Sequence, residues 1–136
     1  MNGRIQTEGV HHLTLTVTDL ARAVDFYTTM LGFQKAMDLS ETRVLLANGK
    51  AILALSEAPD PSQAIPDDRF NENRVGLDHV SLNVGNLHKL EEAKRCFDEY
   101  NVSHGEIEDL GPDLGIYVLA FRDPDNIQLE LTAPYG

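Results

Sequence analysis

Early in the chain, Val10 to Val17 alternate between apolar and polar residues. Leu13, Leu15 and Val17 fall on one side of an extended strand, and His12, Thr14 and Thr16 fall on the other. The period then changes. Leu20, Ala23, Val24, Tyr27 and Leu31 recur at helical spacing, with Asp19 placed as the N-cap and Gly32 as the stop. This predicts a helix over 20–31 with one apolar stripe. Three strands are expected next, over 33–39, 42–47 and 50–56. Asn48–Gly49 between the last two is a hairpin signal, because both residues tolerate positive φ. The stretch reads β-α-β-β-β.

Residues 57–74, "EAPDPSQAIPDDRFNENR", break the pattern. They hold three of the six prolines and show no apolar period. A linker or long loop is expected there, either covering a site or crossing between units.

The plan then returns. Val75 to Val84 alternate, with His79, Ser81 and Asn83 on one face and Val80, Leu82 and Val84 on the other. His12, Leu15 and Val17 match His79, Leu82 and Val84. Asn86 stands where Asp19 stood and can cap a helix running to about Tyr100, with Leu87, Leu90 and Phe97 marking its buried side. Strands are predicted over 102–109, 115–121 and 127–131. "DPDN", Asp123 to Asn126, makes the last turn, with Asn126 able to take the left-handed position. Two β-α-β-β-β units in one chain are an internal duplication.

Composition sharpens this only a little. The 136 residues suit one ordinary domain or two small repeats sharing a core, and 42 % apolar content is enough for a packed interior. A formal net charge of −11 argues against nucleic acid or an anionic membrane as partner. Cys96 is the one cysteine, which excludes an internal disulfide and a cysteine-rich zinc site. No apolar run approaches the roughly 20 residues that span a bilayer, and "MNGRIQTEG" lacks the apolar core of a signal peptide. A soluble, cytoplasmic protein is expected.

An imidazole on a polar strand face is ordinarily solvated, and that is the reading for His11, His88 and His104. His12 and His79 differ, because they hold equivalent slots in a repeat. An approximate twofold would carry them to equivalent places, and curved sheets would let their polar faces share a cavity. Glu130 stands between Leu129 and Leu131, with Gln128 and Thr132 on its own face. A carboxylate there is costly unless it is wet, paired or bound to a metal.

The doubled plan resembles the vicinal oxygen chelate superfamily, which includes glyoxalase I, extradiol dioxygenases, fosfomycin-resistance proteins and bleomycin-binding proteins. "HHLTLTVTDLARAVDFYTTMLGF" is similar to that family's opening signature, and "FRDPDNIQLEL" to its closing turn followed by Glu-Leu. The resemblance covers nearly the whole chain. It implies an α+β fold: paired βαβββ modules forming a curved, cup-like mixed sheet. Residues 1–136 would be a single domain, with module one about 8–56, a linker about 57–74 and module two about 75–134.

The same resemblance implies one divalent metal held by His12, His79 and Glu130. The fourth family position falls on Ala54, which cannot ligate, so the set departs from glyoxalase I and is closer to extradiol dioxygenases and fosfomycin-resistance transferases. Two imidazoles and a carboxylate leave open positions for a substrate's neighbouring oxygens and leave Fe, Mn, Zn, Ni and Co all eligible. The expected function is a metal-dependent enzyme on a small molecule, dioxygenase-like or lyase/isomerase-like. The alternative is a non-catalytic drug-binding protein of the bleomycin-resistance kind. "EIEDLGPDLGIYVLAF" has neither Lys nor Arg before Arg122, which disfavours an anionic phosphonate substrate. Thr14, Ala54, Ser81, Asn83, Ala120 and Gln128 are candidates to line the pocket. Open sheet edges lead to the expectation of a homodimer.

Overall fold

The first strand, β1, is Leu13–Thr16, shorter than the alternating run that contains it. The reason lies in its partner. In the computed structural model, which describes residues 3–136, β1 pairs in parallel only with β4 (Ile52–Ser56), from Leu13↔Leu53 to Thr16↔Ser56. Val17 continues the ladder by one bond to the Ser56 carbonyl (2.8 Å). His12 thus stands one residue ahead of the strand.

The chain divides into two compact units, one ending at Ile65 and the other running from Pro66 to Gly136. In the first, helix α1 spans Leu20–Thr29. The Asp19 carboxylate caps it by accepting from the Arg22 amide (3.1 Å), and Glu57 accepts from the Leu20 amide (3.0 Å). These bonds satisfy two of the donors that a helix start leaves unpaired. Gly32, at φ +74°, closes the helix: the Phe33 amide reaches back to the Tyr27 carbonyl (3.2 Å). Strands β2 (Gln34–Ser40) and β3 (Arg43–Ala47) complete an open mixed sheet in the order β1-β4-β3-β2. β2 carries two bulges and is exposed along its whole length, as an edge strand can be.

Only Gly49 in the Asn48–Gly49 turn takes positive φ (+87°). Asn48 instead accepts with its side chain from the Lys50 and Ala51 amides (2.9 and 2.7 Å), an Asx turn in a four-residue loop. The core of this unit is one sheet face and the stripe of α1: Leu15, Val44, Leu46, Leu53 and Leu55 with Ala23, Phe26 and Tyr27.

The second unit repeats the order. β5 (Val80–Asn83), β6 (Glu108–Asp109), β7 (Ile116–Arg122) and β8 (Gln128–Pro134) form an open mixed sheet, β5-β8-β7-β6. Helix α2, Leu87–Glu99, is capped by the Asn86 side chain and packs on β7 and β8. Leu90, Phe97, Leu119, Phe121, Leu129 and Leu131 are buried, and Phe97 stacks on Phe121 with centroids 4.5 Å apart. Each such side chain contributes about 1.5–3 kcal/mol on leaving water. Asn126, at φ +67°, takes the left-handed place in the last turn.

The strand expected over 102–109 is broken. His104 bridges Phe121, and the ladder resumes at Glu108↔Val118. Four steps on the edge oppose three on β7, which is one inserted residue and hence a bulge. The proline-rich stretch is divided between the units. Pro61–Gln63 form a short 3₁₀ turn in the first. In the second, the Phe70 amide donates to the Asp125 carbonyl (2.9 Å), and the Asn126 side chain donates to the Phe70 carbonyl (3.0 Å). Among the described residues, no helix is long and apolar enough to cross a membrane.

Candidate functional site

The parallel ladders put corresponding residues side by side. In the second unit Ser81 pairs Glu130, which pairs Ala120; Asn83 pairs Thr132. Directly paired residues share a sheet face. In the first unit Thr14 pairs Ala54. Ala54 is therefore the register counterpart of Glu130, and the first unit has a methyl group where the second has a carboxylate.

His79 stands one residue before β5, on the Glu130 face. Its Nε2 lies 3.8 Å from Glu130 Oε1. Two donors that bind one metal at about 2.1 Å each can be no more than about 4.2 Å apart, so this pair is within reach of a common ion. Thr132 Oγ1 donates to Glu130 Oε1 (3.4 Å), and Ser81 is hydrogen-bonded to Thr132 in turn. On the other side of the ring, Nδ1 is 2.8 Å from Asp78 Oδ1. The cluster joins one imidazole to two carboxylates, an environment that favours a cation.

His12 is exposed. Its Nδ1 lies 2.8 Å from His11 Nδ1, with the rings edge to face. One of these nitrogens donates and the other accepts. In each unit, then, the residue just before the candidate ligand engages that ligand's Nδ1. Among the described residues there is no group of three or more His, Cys, Asp and Glu side chains that could hold a metal ion within the single chain.

The other expected lining residues are distributed as follows. Thr14, Ser81 and Asn83 are exposed, Ala120 and Gln128 are half-buried, and Ala54 is buried. Arg122 lies on the Gln128 pair at the end of β7, but its charge is engaged. Its two terminal nitrogens donate to the two Glu72 carboxylate oxygens (2.9 and 3.0 Å). That fork holds the Glu72 carboxyl down at about 2 and raises the Arg122 guanidinium further.

One histidine departs from the solvated reading. His11 is exposed, as expected, with its ring against that of His12. His104 is only 11 % exposed and lies between Asp98 and the Gly105 carbonyl. His88 is the surface residue expected, 2.9 Å from Glu92 one turn along α2. Asp78 and Thr132 were not singled out as site residues by the sequence. The available signal for Asp78 was a carboxylate directly preceding a candidate ligand.

No curated protein matches the chain. Several solved structures are similar in fold. A glyoxylase/bleomycin resistance protein/dioxygenase domain from Frankia sp. EAN1pec is 28 % identical with a TM-score of 0.78, covering 95 % of this chain and 93 % of that one. Lactoylglutathione lyase from Agrobacterium tumefaciens is 21 % identical with a TM-score of 0.72, covering 94 % and 95 %. A mutant of the fosfomycin resistance protein FosX from Listeria monocytogenes, complexed with Mn(II) and 1S,2S-dihydroxypropylphosphonic acid, is 15 % identical with a TM-score of 0.71, covering 93 % and 90 %. The family model of the Glyoxalase/Bleomycin resistance protein/Dioxygenase superfamily matches residues 9–131, and the chain belongs to that superfamily.

Proposed function

We propose that the protein is a divalent-metal-dependent enzyme acting on a small organic molecule that presents two adjacent oxygens, with His12, His79 and Glu130 as the metal ligands. The observation that carries this reading is the His79–Glu130 pair: a ring nitrogen and a carboxylate oxygen 3.8 Å apart on one sheet face. His12 would complete the set from the first unit of a partner copy in a homodimer. The FosX complex with Mn(II) and a diol supports the reading by analogy of fold. Fe, Mn, Zn, Ni and Co all accept such donors. When bound, the ion supplies Lewis acidity to a chelating substrate.

The chain's own residues set the rest. Ala54 adds no donor at the fourth family position, which leaves coordination room for the substrate's oxygens. Ser81 and Thr132 steady the Glu130 carboxylate. Arg122 is engaged by Glu72, so the face offers no free guanidinium there for a phosphonate. An uncharged diol, enol or hydroxy-ketone suits it better, opened by oxygenation or rearranged by proton transfer. A net charge of −11 argues against nucleic-acid partners.

The test is metal analysis of protein purified without chelators, followed by calorimetric titration of the stripped protein with Mn²⁺, Zn²⁺ and, without oxygen, Fe²⁺. His12→Ala, His79→Ala and Glu130→Gln should each weaken binding more than about a hundredfold, beyond what loss of an outer hydrogen bond does. His88→Ala should bind as wild type does. Equal affinity in wild type and Glu130→Gln would overturn the metal site and favour the non-catalytic drug-binding alternative.

A further inference from the structure

Gln128 opens β8, and His79 stands one residue ahead of β5. Carrying the Val80↔Leu129 pairing back one step sets these two residues side by side. The Gln128 side-chain amide donates to two oxygens of Asp78, the backbone carbonyl (3.0 Å) and carboxylate Oδ1 (3.1 Å). The same Oδ1 lies 2.8 Å from His79 Nδ1. An ionised carboxylate only accepts, so Nδ1 carries the proton, and in the neutral ring Nε2 is then bare. Nε2 is the atom that faces Glu130.

We infer that Asp78, anchored by Gln128, is a positioning residue that fixes His79 in the tautomer and ring orientation whose Nε2 lone pair is aimed at Glu130. Three features of the structure carry this. The Asp78 side chain is 69 % exposed, so without an anchor it would sample many rotamers. Gln128 supplies that anchor from a neighbouring strand with two bonds, which fixes both the backbone and the carboxylate of Asp78. The first unit has no equivalent carboxylate, because His11 occupies the place of Asp78. Only the second unit therefore holds its imidazole by a group that can do nothing but accept.

The consequence for metal affinity rests on the function proposed above; the tautomer does not. A carboxylate behind a ligating imidazole fixes its orientation and raises its basicity, and losing it typically costs 10–100-fold in metal affinity. Asp78 is exposed and outside the apolar core, so its removal leaves the fold intact.

The test uses the full chain, ¹⁵N-labelled and metal-free. Long-range ¹H–¹⁵N correlation spectra report which ring nitrogen of His79 is protonated, with the signals assigned by their loss in His79→Gln. Wild type should show the Nδ1–H form. Asp78→Ala should move the population toward Nε2–H, and Gln128→Leu should do so in part. Asp78→Asn keeps an acceptor oxygen and should restore part of the Nδ1–H form, which a merely structural role would not produce. In parallel, Mn²⁺ and Zn²⁺ should bind Asp78→Ala about 10–100-fold more weakly than wild type. Unchanged His79 nitrogen shifts in Asp78→Ala would overturn the inference; if that variant did not fold, an unchanged spectrum of Gln128→Leu would do so. A wild type that binds no metal, with His79 still answering to Asp78, would defeat the proposed function and leave the positioning role standing.

Discussion

Removing Asp98 should make the protein less stable in mild acid and hardly change it in mild alkali. His104 Nε2 is 2.6 Å from Asp98 Oδ1, and Nδ1 is 2.6 Å from the Gly105 carbonyl oxygen. Both neighbours only accept, so both ring nitrogens must carry protons for the arrangement to be satisfied. The Asp98 hydrogen bond, then the Gly105 carbonyl, raise the His104 pKa above its ordinary 6.5, against burial and the nearby Lys94. Lys94 is itself paired with Glu106, and Phe97 flanks the ring at 6.0 Å between centroids.

The sign follows directly. A folded-state pKa above the unfolded one contributes stability that is fully present below the unfolded value of 6.5 and is lost as pH rises through the folded value. A charge-assisted hydrogen bond contributes about 1.5–3 kcal/mol when shielded. Asp98 is 65 % exposed, and solvent screening reduces this to about 1 kcal/mol. For a domain of this length that is about 3–5 °C in Tm. Thermal unfolding followed by circular dichroism, for wild type and Asp98→Ala between about pH 5.5 and pH 9, reads the gap. The other histidines are common to both proteins and cancel in the difference. A gap that stayed constant over this range would refute the imidazolium clamp.

Glu72→Gln breaks the fork with Arg122. Because the folded carboxyl sits at about 2 rather than 4.5, its contribution is present above the unfolded value and is lost as pH falls toward the folded one; urea unfolding should separate variant from wild type at pH 6 and bring them together near pH 2. Phe97→Ala removes a side chain that is 2 % exposed and stacked on Phe121, and should cost about 3–5 kcal/mol in urea unfolding; a loss below about 1.5 kcal/mol would mean that α2 is not seated on this ring. Gly49→Ala meets no atom within 4 Å but keeps φ at +87°, so calorimetry should find a purely conformational loss of about 1–2 kcal/mol.

The duplication, both helices with their caps and the polar and apolar strand faces were legible along the chain, because each depends on neighbours within a turn or a pleat. Asp19, Asn86, Gly32 and Asn126 act as their side chains and backbone preferences dictate, whatever lies beyond them. Where a ladder stops is a different kind of fact. The alternation runs from Val10 to Val17, yet β1 spans only Leu13–Thr16, because β4 offers partners for those four residues. The bulge between His104 and Glu108 likewise comes from the register on β7. The partners of the histidines were also decided by tertiary structure. His88 and His104 look alike in sequence, but one stands on an exposed helix face and the other is enclosed between a helix end and a sheet edge. Glu130 was marked by its place between two leucines. That its oxygen lies near His79 Nε2, with Asp78 behind the ring and Gln128 behind Asp78, depends on one register between strands about fifty residues apart in sequence. Pairing across that separation is set by the packing of whole sheet faces; no local pattern encodes it.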